Sequence, residues 1–300
     1  MLKEISDAIA LVDTEALGEF GVVAAYLVTG KEIALVDMGY RSSASVVLRD
    51  LEARGLQDLD YLLPTHVHLD HCGACGTIAR KFPDASILSH PIGVPHLIDP
   101  GRLVKAAGQL FGDELMRRYG VPEPIDPKRV KNVADEETIN LGKGVTLRSI
   151  WTPGHASHHL SYLLEGSADF ITGDAVSLRY PSYPAPIPTT PPTSFNLEKT
   201  LASIGRIRSF SPTRLFAPHF GVVAGAGKWL DDNVEVLVHW KETLADLIMM
   251  NRSVEQIVGI MTERVSAQAK ISSSEIPSFL KTSIRVSVLG FLRYLTGKTS

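Results

Sequence analysis

The segment Thr65-His66-Val67-His68-Leu69-Asp70-His71-Cys72-Gly73 packs three imidazoles and a carboxylate into six residues. In a chain of 300 residues with 10 histidines, an H-x-H-x-D-H run arises by chance roughly once in one to two thousand sequences, so the spacing is informative. Such groups must be hydrated, neutralised or coordinated. Alternation along an extended loop sends His66 and His68 to one side, and Asp70 and His71 follow as the chain enters a helix. Two directions of approach from one short loop suit two adjacent metal ions better than one. Three further candidate donors sit in turn-forming contexts: His155 in Thr152-Pro153-Gly154-His155, Asp174 in Thr172-Gly173-Asp174, and His219 in Ala217-Pro218-His219-Phe220-Gly221. Proline or glycine beside each lets the backbone turn sharply toward a common point. His158 and His159 compete with His155, but the Pro-Gly-His context favours His155 and leaves the other two bracing it or at the surface. Seven nitrogen and oxygen donors with no required thiolate suit two zinc ions, with iron or manganese as alternatives.

The elements that must position these residues read as two similar halves. Short β-branched runs at residues 9–12, 22–28 and 33–36 predict a strand meander, residues 42–54 a helix, 61–63 a strand, 72–82 a helix and 85–88 a strand. Residues 103–119 predict a helix pair broken near Gly108 or Gly112. The second half repeats the plan: strands at 138–141, 145–150, 160–164 and 169–172, a helix at 196–209 and a strand at 214–217. Each candidate donor outside the first motif follows a strand directly, where functional loops belong. Residues 180–196 carry six prolines, including Pro181 and Pro184, and predict a stiff wall or lid. From Lys228 onward the pattern is helical, with Ser253 and Gln256 forming a capping-box signature. This gives a main domain at 1–228, which carries all the candidate donors, and a C-terminal helical region at 229–300.

The set His66, His68, Asp70, His71, His155, Asp174 and His219 resembles the metallo-β-lactamase superfamily, over roughly residues 9–227. That resemblance implies an α/β fold, a four-layer αββα sandwich with a dinuclear site at one edge. It implies one metal held by His66, His68 and His155, a second held by Asp70, His71 and His219, and Asp174 bridging them. Asp37, in Leu35-Val36-Asp37-Met38-Gly39, resembles the acid that braces the histidine loop in this family. Residues 89–100 resemble a branch described only as metal-dependent hydrolases or glyoxalase-like proteins.

Two divalent ions sharing a water lower its pKa and supply a bridging hydroxide nucleophile, and Asp70 is placed to orient it and move its proton. The expected activity is hydrolysis of a thioester or carboxylic ester, in the manner of glyoxalase II. Competing readings are a lactonase, with Tyr180 or Tyr183 donating to a carbonyl oxyanion, and a mononuclear iron dioxygenase of the persulfide type that would share His66, His155 and Asp174. His90 is a further candidate for substrate contact. His68 stands where di-iron oxygen-reducing relatives carry glutamate, and Asp174 stands where the zinc β-lactamases carry cysteine.

Composition narrows the partners. Hydrophobic residues are 44% and charged residues 21%, which excludes wholesale disorder, and the net charge of −3 gives no basic surface for nucleic acid. The expected partner is a small-molecule substrate, with a homodimer left open. Cys72 and Cys75 are the only cysteines; they make no disulfide framework and read as small buried side chains beneath the metal loop. The early acidic residues argue against a signal peptide and the short apolar runs against a membrane span, so the expected location is cytoplasmic.

Overall fold

The computed structural model describes residues 2–180, 183 and 185–297. The chain builds two sheets. The first contains β1 (Leu2–Ser6), β2 (Ile9–Asp13), β3 (Ala24–Thr29), β4 (Ile33–Val36), β5 (Tyr61–Leu63), β6 (Ser86–Ser89) and β7 (Val130–Asn132), paired in chain order. The second contains β8 (Thr138–Gly142), β9 (Val145–Trp151), β10 (Leu160–Leu164), β11 (Asp169–Ile171), β12 (Arg214–Ala217) and β13 (Gly221–Ala224), also in chain order. Both are mixed: hairpin-joined strands pair antiparallel, whereas β4 to β7 and β11–β12 pair parallel across longer connections.

The two-residue side-chain period sorts the strands' faces. In β2 to β4, Ile9, Leu11, Tyr26, Val28, Ala34 and Val36 point toward the second sheet, while Ala10, Val12, Ala25, Leu27 and Leu35 point away from it. From the facing sheet Leu147, Tyr162, Ile171 and Phe216 fill the same inner layer. Tyr26 crosses it: its ring meets Phe216 edge-on at 5.4 Å and its hydroxyl donates to the Ala217 carbonyl at 2.7 Å. That bond satisfies a buried hydroxyl and ties the first sheet to the strand that precedes His219.

Helices cover both outer faces, which gives the αββα sandwich. α1 (Ala44–Ala53), α2 (Leu69–Cys72), α3 (Cys75–Lys81) and α4 (Val94–Ile98) pack outside the first sheet. α5 (Gly101–Tyr119) follows, broken at Gly112, whose φ of 75° is non-helical. α6 (Leu197–Ser209) covers the second sheet together with three C-terminal helices: α7 (Ala226–Met249), α8 (Val254–Ala269) and α9 (Ser278–Thr296). One apolar cluster runs from Ile150, Phe170 and Leu215 through Ile204 and Leu237 to Ile257, Ile284 and Phe291, so the last helices share the second sheet's core. The boundary expected between 228 and 229 falls inside the first turn of α7. The capping box at Ser253 and Gln256 is formed. Among the described residues no helix is long and apolar enough to cross a membrane.

Several elements differ from the sequence expectation. β1, β7, β13 and α4 were not predicted, and the helix expected at 72–82 is two short helices separated at Gly73 and Ala74. Gly73 keeps helical dihedrals, and its missing side chain admits the backbone of Arg41: a Cβ there would lie 2.8 Å from the Arg41 nitrogen. The break in α5 falls at Gly112, one of its two expected positions.

Candidate metal centre

The seven candidate ligands converge at one edge of the sandwich. His66 and His68 lie in the loop after β5, and Asp70 and His71 lie in α2. His155 follows β9, Asp174 sits in the tight turn after β11, and His219 follows β12. Within each of three groups the donor atoms lie within 4.8 Å of one another: His66, His68 and His155; Asp70, His71 and His219; and His66, His71 and Asp174.

Four of the candidate histidines are each held by Nδ1 and aim Nε2 inward. His66 Nδ1 lies 3.0 Å from Thr65 Oγ1, His71 Nδ1 lies 2.8 Å from Asp37 Oδ2, His155 Nδ1 lies 2.9 Å from the Thr189 carbonyl, and His219 Nδ1 lies 3.1 Å from the Val22 carbonyl. Since carbonyls and carboxylates only accept, these contacts put the proton on Nδ1 of His71, His155 and His219 and free Nε2 as a donor of electrons. His68 differs: its Nδ1 faces inward, 2.9 Å from His66 Nε2 and 2.8 Å from His155 Nε2.

Asp174 is placed between the two trios. Its Oδ2 is 3.4 Å from His155 Nε2, while its Oδ1 is 3.6 Å from His71 Nε2 and 3.5 Å from His219 Nε2. Asp70 Oδ2 lies 3.4 Å from His219 Nε2 and 3.7 Å from His71 Nε2. Ligands about 2.0–2.1 Å from a tetrahedral zinc ion are separated by about 3.3 Å, so this spacing suits a shared ion better than direct hydrogen bonds. His71 Nε2 is buried with no hydrogen-bond partner, which a bound cation would satisfy. The residues therefore fit a two-metal centre.

The surroundings shift the two trios in opposite directions: the first is held neutral, whereas His71 and His219 favour a proton that a bound cation would displace. Burial, followed by the neighbouring imidazoles, holds His66 and His68 well below the ordinary histidine range, so both stay neutral and able to ligate. Burial also lowers His155, partly offset by Asp174. Burial would lower His71 and His219 too, but Asp37, Asp70 and Asp174 outweigh it around His71, and Asp174 and Asp70 around His219, so both are raised. Burial would raise the Asp70 carboxyl, yet His71 and His219 hold it below the usual carboxylate range.

A supporting layer fixes these groups. Asp37 accepts from the Thr65 backbone N–H at 2.8 Å and from the Thr65 hydroxyl at 3.0 Å, besides His71. Through Thr65 it also orients His66, so one buried carboxylate sets a ligand in each trio. His159 is not a ligand. Its Nε2 accepts the Asp174 backbone N–H at 2.9 Å, so Nδ1 carries the proton and donates to Thr152 Oγ1 at 2.9 Å. Thr152 then bonds Ser161, whose hydroxyl donates to the Thr172 carbonyl at 2.7 Å. This relay fixes the Asp174 turn from behind. Gly173 permits it: its φ is +51°, and a Cβ there would sit 2.5 Å from His159 Nε2. His159 was legible only as a neighbour of His155, and Thr65 only as the residue opening the motif.

A cavity of about 180 Å³ opens onto the centre, touching His68, Asp70, His155, Asp174 and His219. Its other walls come from Tyr40, α5, residues 188–193 and α9. Tyr40 and Tyr119 stack there, ring centroids 4.4 Å apart and nearly parallel. Tyr180, Tyr183 and His90 are not among the described lining residues. Tyr183 is buried and its hydroxyl donates to Gln268 at 2.5 Å, Tyr180 packs against apolar side chains, and His90 stacks on Trp151 at 5.7 Å. Pro181 and Pro184 of the proline-rich segment lie outside the described residues. Cys72 and Cys75 are buried and unpaired, and burial raises both thiols, Cys75 to about 12.

The model of the metallo-beta-lactamase superfamily matches residues 18–219. A metallo-beta-lactamase fold-containing protein of Sulfurisphaera tokodaii is 27% identical over 207 residues, 68% of this chain and 74% of its own length. An atrochrysone carboxyl ACP thioesterase of Aspergillus fumigatus is 28% identical over 149 residues, 49% of this chain but only 38% of that longer protein. Among solved structures, an archaeal superfamily protein from Sulfolobus tokodaii superposes with a TM-score of 0.72 at 23% identity, covering 96% of this chain and 99% of that one.

Proposed function

The chain belongs to the metallo-β-lactamase superfamily, a group of metallo-hydrolases, and from that premise we propose that it is a dinuclear zinc-dependent hydrolase of thioesters or carboxylic esters. The observation that carries the reading is the placement of Asp174, whose two oxygens face different trios. Two divalent ions held by these residues would supply a water of lowered pKa and a Lewis acid for the acyl carbonyl. His66, His68 and His155 would hold one, Asp70, His71 and His219 the other, with Asp174 shared.

The chain's own residues do the rest. Asp70 is kept ionised, and its side chain, 22% exposed, is the most open of the carboxylates. It accepts the proton of the attacking water and delivers it to the leaving sulfur or oxygen. Asp37 and the His159 relay keep the ligands in register, so little reorganisation accompanies the reaction. The thioester preference draws support from the Aspergillus fumigatus relative named as a thioesterase. Cytoplasmic placement, consistent with two buried free thiols, belongs to the same proposal.

The test is a panel of thioesters, carboxylic esters, lactones, β-lactams and phosphodiesters, assayed with protein of measured metal content. The expected result is two zinc ions per chain and fastest turnover of a thioester or ester. Asp70→Asn, loaded with metal, should lose about two to four orders of magnitude in turnover. A single iron per chain with no hydrolysis would replace the proposal with the mononuclear dioxygenase reading.

A further inference from the structure

The wall of the cavity opposite the metal centre is apolar. α5 contributes Leu103, Leu110 and Phe111, α9 contributes Phe279 and Val286, and Leu178 closes one side. No lysine, arginine or glutamate is among the described lining residues, and the carboxylates present, Asp70 and Asp174, belong to the centre itself.

The hydroxyl groups on α9 and at Thr190 are already committed. Thr190 donates to the Ser287 carbonyl at 2.8 Å, and Ser287 donates to the Pro188 carbonyl. Thr282 and Ser283 each donate back to their own helix, to the Ser278 and Phe279 carbonyls, both at 3.0 Å. A charged substituent on a bound substrate would therefore find no counter-ion among the described lining residues, and the hydroxyls of the α9 face are spent on backbone carbonyls. Such a substituent would lose its hydration without compensation. An apolar substituent loses nothing and gains about fourfold in binding for each methylene buried.

Size narrows the group further. An apolar cavity of about 150 Å³ accommodates benzene. The space here, about 180 Å³, suits a single aromatic ring or an alkyl chain of about six carbons.

We propose that the acyl part of the substrate is an uncharged, apolar alkyl or single-ring aryl group, seated between α5 and α9 with its carbonyl at the metal centre. This rests on the hydrolase reading and narrows it. It excludes acyl groups that carry a carboxylate or phosphate as preferred substrates.

The experiment uses the metal-loaded full chain and thioesters of one neutral thiol, N-acetylcysteamine, with acetyl, butanoyl, hexanoyl, benzoyl and succinyl acyl groups. From acetyl to hexanoyl, kcat/KM should rise by about a hundredfold, while succinyl should do no better than acetyl. Val286→Asp, which places a carboxylate in a half-buried wall position, should collapse the hexanoyl-to-acetyl ratio by about tenfold or more. Binding is read independently by calorimetry: hexanamide should bind at least about tenfold tighter than acetamide, and succinamate should not. Measurable hydrolysis with a flat series, or with succinyl preferred, overturns the acyl inference and leaves the hydrolase reading standing. Absence of hydrolysis from every member removes the thioester form of the hydrolase reading, and hexanamide binding no better than acetamide then overturns the apolar site as well.

Discussion

Replacing Asp37 by asparagine should uncouple the histidines from their ion sites while leaving the fold in place. The residue has φ 57°, a left-handed conformation that asparagine also adopts readily, so the backbone cost is small. The chemical cost is specific. Asp37 accepts three protons, from Thr65 N, Thr65 Oγ1 and His71 Nδ1, at 2.8, 3.0 and 2.8 Å. Asparagine offers one oxygen, so if that oxygen stays on Thr65, its NH2 faces His71 Nδ1. His71 must then either leave a buried donor unpaired, at about 1–3 kcal/mol, or move its proton to Nε2 and cease to ligate. Either route weakens the trio of Asp70, His71 and His219 by about ten- to a hundredfold in zinc affinity. The trio of His66, His68 and His155 should lose less, because Asp37 reaches His66 only through the Thr65 hydroxyl. The assay is competitive zinc titration against a chromophoric chelator, with thermal melting of the metal-free protein alongside. Two zinc affinities within twofold of the parent's, with an unchanged metal-free melting temperature, would refute the argument that Asp37 orients both ligands.

Asp174→Ala should lower metal occupancy at both positions together, because each trio loses one carboxylate oxygen; mass spectrometry under native conditions counts the ions, and loss of one with the other intact would contradict a shared ligand. Gly290→Ala should destabilise the chain by about 1–3 kcal/mol in denaturant unfolding and loosen α9 from residues 188–193, because a Cβ there would fall 1.7 Å from the Thr190 carbonyl oxygen. Iodoacetamide at pH 8 should leave Cys72 and Cys75 unlabelled in the native protein and label both in denaturant. A thiol raised to about 12 is ionised in only about one molecule in ten thousand at that pH; rapid native labelling would show the site to be open.

The parts legible from sequence were those with a local physical signature. Short apolar runs gave most strands of both sheets, because burial leaves its imprint within a few residues. The convergence of the candidate ligands was legible because four of them share one short motif after β5, while His155, Asp174 and His219 each follow a strand and sit beside proline or glycine. The edge strands β1 and β13 were not: Leu2–Ser6 carries charge on an exposed edge, and Gly221–Ala224 is four residues long, so only pairing with β2 and β12 makes them strands. Tyr180 and Tyr183 illustrate a different failure. Nearness to Asp174 in sequence suggested nearness in space, but Tyr183 is buried with its hydroxyl on Gln268, and Leu178 pairs with Ile187 in an isolated bridge. The segment after that bridge, residues 188–193, is what reaches the cavity. The cavity wall from α5 and α9 joins segments about 170 residues apart, and no local pattern encodes such a meeting.

The break in α5 has a consequence for traffic through the cavity. Of its nineteen residues only Ala107 and Tyr119 are buried, so the element that roofs the apolar wall is anchored near its middle and at its last residue. An element with so little buried surface opens at a small fraction of the free energy needed to unfold the sheets behind it. Gly112 supplies a point where the two segments can swing without distorting a side-chain-bearing residue. Entry of substrate and escape of product can thus proceed by transient lifting of α5, while the ligands, held by four separate strand ends, stay still. Turnover would then be paced by this roof rather than by bond cleavage whenever the departing acid is bulky.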